Sequence, residues 1–223
     1  MIVAVWNMAK RPAAWGHLLD SLAPDLALLQ ETPPPPDQSG VAQLLHDPDY
    51  AGNSLGSAIY LRDGAARPLE LHPAHRVWFM AAEVELPGIR PLVAVSVHTP
   101  TVPSVRPFVD EAFEELAPLL EGRSFVVGGD FNLSRNYDKV YGTTHHTEFL
   151  DALPARGFVD CMREAYGEEQ RTFWGRTKNA YQNDHVFVSQ DLAPSVVSCE
   201  LADRAGLSDH SPLRLTLVTS KAD

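Results

Sequence analysis

The sequence predicts a single α/β domain built on mixed β-structure, and three observations predict it. Short apolar, β-branched runs alternate with stretches of helical periodicity along the chain. Several of those runs follow one another with no helix between them, so a purely parallel sheet does not fit. Polar residues recur directly after the runs, at Asn7, Glu31, His98 and Asp130, and open α/β sheets place their ligands beyond such strand ends. The 223 residues show no composition shift, internal repeat or long linker, so one domain over 1–223 is expected. With 44% hydrophobic and 21% charged residues, the chain has the balance of a soluble globular protein and not of a disordered one.

Taken in order, Ile2 to Trp6 reads as a buried strand ended by Asn7. Pro12 to Ala23 places Trp15, Leu18, Leu19 and Leu22 at the spacing of an amphipathic helix, which Pro24 ends. Leu26 to Leu29 forms a second strand that delivers Glu31. Pro33 to Pro36 reads as a stiff surface connection, and Val41 to Leu45 as a short helix. Ser57 to Leu61 and Val77 to Leu86 read as strands of a more antiparallel region, and Leu92 to Val97 as a strand that presents His98. Ser104 to Leu120 is a helix packed by one face, its acidic residues being the solvated side. Phe125 to Val127 precede Gly128-Gly129, where a sharp backbone turn is expected. Beyond it, alternation sends Asp130 and Asn132 to one side and Phe131 to the other. A helix near Thr147 to Arg156, an irregular stretch, a strand from Asn183 to Val188 and a last strand from Leu213 to Val218 complete the chain. Alternation points His185 away from Asp184, and the pair His145-His146 carries no expected role.

The net charge of −11 means that any polyanion must be gripped locally, because nonspecific phosphate binding is built from excess Lys and Arg. Only Cys161 and Cys199 are present, which suits a reducing, cytoplasmic setting. The opening run is too short, and lacks the basic start, for a signal peptide, and no apolar run approaches the roughly 20 residues that span a bilayer. No membrane partner is expected.

Trp6-Asn7, Gln30-Glu31, Val97-His98-Thr99, Gly129-Asp130-Phe131-Asn132, Asn183-Asp184-His185-Val186 and Ser208-Asp209-His210 occur in this order across almost the whole chain. Together they resemble the endonuclease/exonuclease/phosphatase family, which includes pancreatic deoxyribonuclease, apurinic endonucleases, neutral sphingomyelinases and inositol polyphosphate phosphatases. The resemblance implies a four-layer sandwich: two mixed sheets packed face to face, helices outside, and the site at one end of the strands. It also implies a phosphodiester hydrolase dependent on Mg2+ or Mn2+; a monomer is expected. Glu31 is implied as the main metal ligand with Asn7 beside it, and Asp209 as a further metal or water ligand. A carboxylate with waters and a phosphate oxygen suits such a hard cation. Asp130 is implied to orient or deprotonate the attacking water, and Asn132 to help hold the phosphate. Asp184 would fix the ring of His210, while His210 and His98 contact the phosphate and supply protons. Ala9 stands where the apurinic branch has an acid, which implies one tightly held ion.

Each residue alone has a plainer reading, Asn7 as a strand-end cap, Glu31 as a solvated acid and Asp209 as a turn starter. Their joint placement at strand ends is what those readings leave unexplained. Nucleic acid is the expected substrate, with Arg135, Trp174, Arg176 and Lys178 as candidate contacts. A small-molecule phosphatase or phosphodiesterase, favoured by the acidic balance, and a catalytically dead binding module are the alternatives.

Overall fold

The structure is a computed structural model that describes residues 1–36, 43–46, 56–101, 105–175 and 178–218. The described strands are β1 (Ile2–Asn7), β2 (Leu26–Gln30), β3 (Gln43–His46), β4 (Ser57–Leu61), β5 (Ala65–Pro68), β6 (Phe79–Glu85), β7 (Leu92–His98), β8 (Phe125–Asp130), β9 (Phe158–Asp160), β10 (Asp184–Ser189), β11 (Val196–Leu201) and β12 (Leu213–Leu217). They form two six-stranded sheets, ordered β11-β12-β1-β2-β4-β3 and β5-β6-β7-β8-β10-β9. Both are mixed, since β1 and β2 pair in parallel, as do β7 and β8, while the other neighbours are antiparallel.

Three apolar clusters set the layers. Between the sheets, Val3, Val5, Leu26 and Leu28 meet Ala82, Val84, Val126 and Val186. On the outer face of the second sheet, helix Val105–Leu120 buries Val109, Ala112, Phe113 and Leu116 against Val95, Val127 and Phe187. On the outer face of the first sheet, Trp15, Leu18 and Leu22 cover Ala4, Trp6, Ala27 and Leu29. Each such large apolar side chain contributes roughly 1.5–3 kcal/mol by leaving water. The result is the helix–sheet–sheet–helix sandwich that the resemblance implied.

Several local expectations need correction. The segment expected as a helix over Val41 to Leu45 is strand β3 at Gln43–His46, where pairing with β4 overrides a weak helical pattern; Val41 and Ala42 lie outside the described residues. The helix expected over Pro12 to Ala23 is one α-turn, Ala14–Gly16, running into a π-helical stretch, His17–Leu22. It closes on Ala23, whose left-handed backbone sends its N–H to the Leu18 carbonyl. Gly128-Gly129 is not a turn, because β8 continues through both to Asp130. A Cβ on Gly128 would lie 2.8 Å from Val5 Cγ2 across the sandwich, and one on Gly129, whose φ is 152°, would lie 1.8 Å from the Val97 carbonyl oxygen. The glycines serve close approach.

That approach positions the site. Strands β7, β8 and β10 set His98, Asp130 and Asp184 in one row across the second sheet. In the first sheet Asn7 ends β1, Glu31 follows β2, and His210 precedes β12, which runs antiparallel to β1. All six groups therefore emerge at the same end of the sandwich. Among the described residues no helix is long and apolar enough to cross a membrane.

Candidate active site

At that end opens a cleft of about 1150 Å³, lined by Glu31, His98, Asp130, Asn132, Asp209 and His210, with Trp78, Phe173, Arg11 and Arg204 around them. Asn7 and Asp184 do not line it; almost fully buried, they stand behind Asp130 and His210, to which they are bonded. Asp184 accepts from His210 Nδ1 at 2.8 Å through Oδ2 and lies 3.1 Å from it through Oδ1, so the ring is held with Nε2 toward Asp130 Oδ2, 3.6 Å away. Asn7 Nδ2 donates to the same Asp130 oxygen at 3.0 Å, and the Asn132 backbone N–H donates to Asp130 Oδ1 at 3.1 Å. His98 Nε2 lies 3.9 Å from Asp130 Oδ2 and 4.0 Å from Glu31 Oε1, which makes it a bridge between the two sheets.

The mouth is built from strained backbone. Ala9, Lys10, Glu31 and Asn132 all have left-handed φ, at 48°, 58°, 46° and 50°. Residues without the freedom of glycine hold that conformation only where surrounding contacts fix it, at a cost of order 1 kcal/mol or more each. Here Lys10 N–H donates to the Glu31 carbonyl at 2.9 Å, and Asn132 Nδ2 donates to the Thr99 carbonyl at 2.8 Å. The turn at Glu31 leaves its side chain a quarter exposed and facing the cleft.

Charge is concentrated in this small volume. Burial raises the Asp130 carboxyl above its ordinary pKa; His210 and His98 oppose that rise, while Asp184 adds to it. For His210 burial disfavours the cation, yet the Asp184 and Asp130 carboxylates override it and push the ring up to about 10. Asp130, Asp184 and His210 offer three ligand atoms within 4.8 Å of one another and could hold a metal ion. Asp184 and His210 Nδ1 are already engaged with each other, however. Glu31 and Asp209 line the cleft as further carboxylates, the donor chemistry that a hard divalent cation takes, though among the described residues the group whose ligand atoms gather this closely is Asp130, Asp184 and His210.

The expected contacts with flanking substrate fare unevenly. Arg135 is not brought to the cleft. Its buried guanidinium donates to Asp151 Oδ1 at 3.0 and 2.9 Å and lies within 4.0 Å of Asp160 and Glu169, so those carboxylates make it a structural hub. Arg176 lies outside the described residues, and Lys178 is exposed. Trp174 is 43% exposed at the rim, with Nε1 donating to Ser211 Oγ at 2.9 Å. Phe173 lines the cleft, its ring 4.9 Å from that of His210. His185 packs against Phe131 and Phe187, away from the site.

Sequence reading missed two supports. Buried Thr172 accepts through Oγ1 from the N–H groups of Asn183 and Asp184, at 3.0 and 3.1 Å, and so fixes the start of β10. Ser208 donates to the Asn7 carbonyl at 2.7 Å and accepts from His210 N–H at 3.0 Å, tying the His210 loop to β1. Ser208 stands inside a segment already singled out, whereas nothing local marks Thr172.

Comparison with known proteins agrees with this geometry. No curated protein matches the chain in sequence. Its fold is similar to that of an AP endonuclease from Archaeoglobus fulgidus, with TM-score 0.76 and 17% identity over 97% of this chain and 99% of that one. It is also similar to a 3'-5' exonuclease (NExo) from Neisseria meningitidis, with TM-score 0.73 and 18% identity over 97% and 99%. A structure of the 3' phosphatase NExo from Neisseria bound to product DNA hairpin gives TM-score 0.71 and 20% identity over 98% and 99%. Residues 4–210 match the Endonuclease/Exonuclease/phosphatase family, a span that holds every candidate site residue that meets in the cleft, and the chain belongs to that family of phosphoester-hydrolysing enzymes.

Proposed function

We propose that the protein is a divalent-metal-dependent phosphodiester hydrolase acting on nucleic acid by in-line attack of water at phosphorus. The observation that carries this reading is the convergence of Asn7, Glu31, His98, Asp130, Asp184 and His210 at one end of two different sheets. Glu31, with Asn7 and Asp209, would hold Mg2+ or Mn2+, which supplies charge neutralisation at a phosphate oxygen. Asp130 takes the proton of the attacking water. Its burial raises its proton affinity, as a general base needs, and Asn7 and the Asn132 N–H fix its two oxygens. As the bond from phosphorus to the leaving oxygen breaks, His210, oriented by Asp184, protonates that oxygen. His98 and Asn132 donate to the non-bridging oxygens, where charge accumulates.

The nuclease assignment is supported by the similarity to enzymes described as an endonuclease and an exonuclease. The net charge of −11 and the similarity to a structure described as a 3' phosphatase favour a second reading, hydrolysis of a terminal or small-molecule phosphoester. One chain contributes every group of the site, in keeping with a monomer. The unbridged, buried Cys161 and Cys199 suit the cytoplasmic setting expected from the sequence. Assay with magnesium against plasmid, single-stranded DNA, RNA, an aryl phosphodiester and phosphomonoesters tests the proposal. Cleavage of internal or terminal diester bonds in DNA or RNA, abolished by a chelator, is expected. Turnover of phosphomonoesters alone would establish the second reading, and turnover that survives chelation and dialysis would remove the metal.

A further inference from the structure

The rim of the cleft carries a cation that sequence reading passed over. Arg204 sits in the loop between β11 and β12, lines the cleft, and is partly buried. Its guanidinium carbon lies 5.2 Å from the centre of the Trp174 ring, and that of Arg171 lies 4.4 Å from the same ring. Two like charges gathered on one indole repel each other, so the arrangement needs an anchor. The anchor is Trp174 itself. Its backbone N–H donates to the Asp209 carbonyl at 2.7 Å and its Nε1 to Ser211 Oγ at 2.9 Å, on either side of His210. Arg204 Nη1 donates to the Ser208 carbonyl at 2.7 Å, and Ser208 is bonded to Asn7 and His210. Arg204 is thus fixed to the same three-residue turn that holds His210. Among the described residues that is the guanidinium's one hydrogen bond, and its remaining N–H groups can serve a phosphate.

We infer that Arg204, seated on Trp174 and reinforced by Arg171, binds a second phosphate next to the scissile one, so that the substrate is an oligonucleotide and not a compound with a single phosphate. The inference rests on the nuclease reading above and narrows it. A scissile phosphate is served by His98, Asn132 and His210. A guanidinium fixed on the cleft wall beside these groups can serve a neighbouring anion, and in a chain of net charge −11 an arginine held there is a local exception. Cation–π seating and the Ser208 bond remove rotamer freedom before substrate arrives, which lowers the entropic cost of the contact.

The test compares two substrates with magnesium present: hexathymidylate, and the p-nitrophenyl ester of thymidine 5'-monophosphate, which carries one phosphate. In Arg204→Ala the ratio of kcat/KM for the hexamer to that for the ester should fall about tenfold, mostly through the hexamer KM, with the loss of one charge-assisted contact. The log–log salt dependence for the hexamer should become shallower by about 0.7, as expected for one single-strand phosphate contact. Arg204→Lys should restore part of the ratio, and Trp174→Leu, which removes the seat, should lower it in the same direction. An unchanged ratio in a folded Arg204→Ala protein would overturn the inference while leaving the nuclease reading intact. Wild-type protein that hydrolyses the ester but no oligonucleotide would overturn both.

Discussion

Single side chains in this protein carry either chemistry or clearance, and the two fail differently. Asp184 is fully buried and touches His210 through both oxygens, so Asp184→Asn keeps the shape while removing the charge that aligns the ring and favours its cation. Turnover is expected to fall by at least about a hundredfold, as when an acid–base group loses its orienting partner, with the unfolding midpoint little changed. A folded variant with near-normal rate would remove Asp184 from the mechanism. Gly129 fails by sterics. A methyl group there would meet the Val97 carbonyl at 1.8 Å, and φ at 152° is itself disfavoured for alanine. Gly129→Ala should destabilise the fold by more than about 3 kcal/mol in denaturant titration, since β7 and β8 cannot separate without breaking the row from His98 to Asp184. The candidate site residues were legible jointly and not one by one: each alone has a plainer reading, and it is their recurrence beside apolar runs, which fix where side chains emerge, that marks them. Thr172 and Arg204 were not, because their partners lie 11 or more and 30 residues away in sequence, at Asn183 and Trp174.

At the scale of elements, the long strands and the helix Val105–Leu120 could be read from periodicity, whereas the short helix Arg135–Tyr141, just after Asn132, has no apolar stripe to announce it. The helix expected near Thr147 to Arg156 is His145–Ala152, followed by a 3-10 turn at Leu153–Arg156, and it pairs with the first. What fixes the pair is Asp138. Its Oδ1 accepts from Thr143 Oγ1 at 2.6 Å, and its Oδ2 accepts from the Thr147 N–H at 2.7 Å, in the first turn of the second helix. A carboxylate on the preceding helix thus does the work of an N-terminal cap. Burial alone would raise the Asp138 pKa, but the bonds from Thr143 and Thr147 prevail and lower it. A folded pKa below the unfolded one gives stability that is fully present above the unfolded value, about 3.9, and is lost as pH falls through the folded value. Asp138→Asn should therefore cost about 1–2 kcal/mol in urea unfolding at pH 7, with the gap to wild type closing below about pH 4. A gap of constant size from pH 7 to pH 3 would show that the charge is not what matters.

For the whole molecule, the order of the six matching segments made the family legible, and the family supplied the two-sheet sandwich that periodicity alone does not distinguish from one mixed sheet. The missing information was which faces meet, and it is carried by pairs such as Gly128 and Val5, more than a hundred residues apart. Charge, in contrast, is a property of the sequence that the fold redistributes. The chain bears −11 overall, yet the cleft is flanked by Arg11 and Arg204 as well as by Glu31, Asp130 and Asp209. A polyanion approaching this surface meets repulsion at long range and a few cations at contact. Salt acts on these in opposite directions, screening the repulsion over a Debye length of about 10 Å at 0.1 M while weakening the contacts through counterion competition. With about two phosphates neutralised on a single strand, log(kcat/KM) should fall against log[salt] with a slope of only about −1 to −1.5 above 0.1 M, and flatten or reverse below it as repulsion is unscreened. Measuring kcat/KM for hexathymidylate from 20 to 400 mM potassium chloride at fixed magnesium checks this. A slope steeper than about −4 across the range would mean that a broad basic surface grips the strand, against the charge distribution described here.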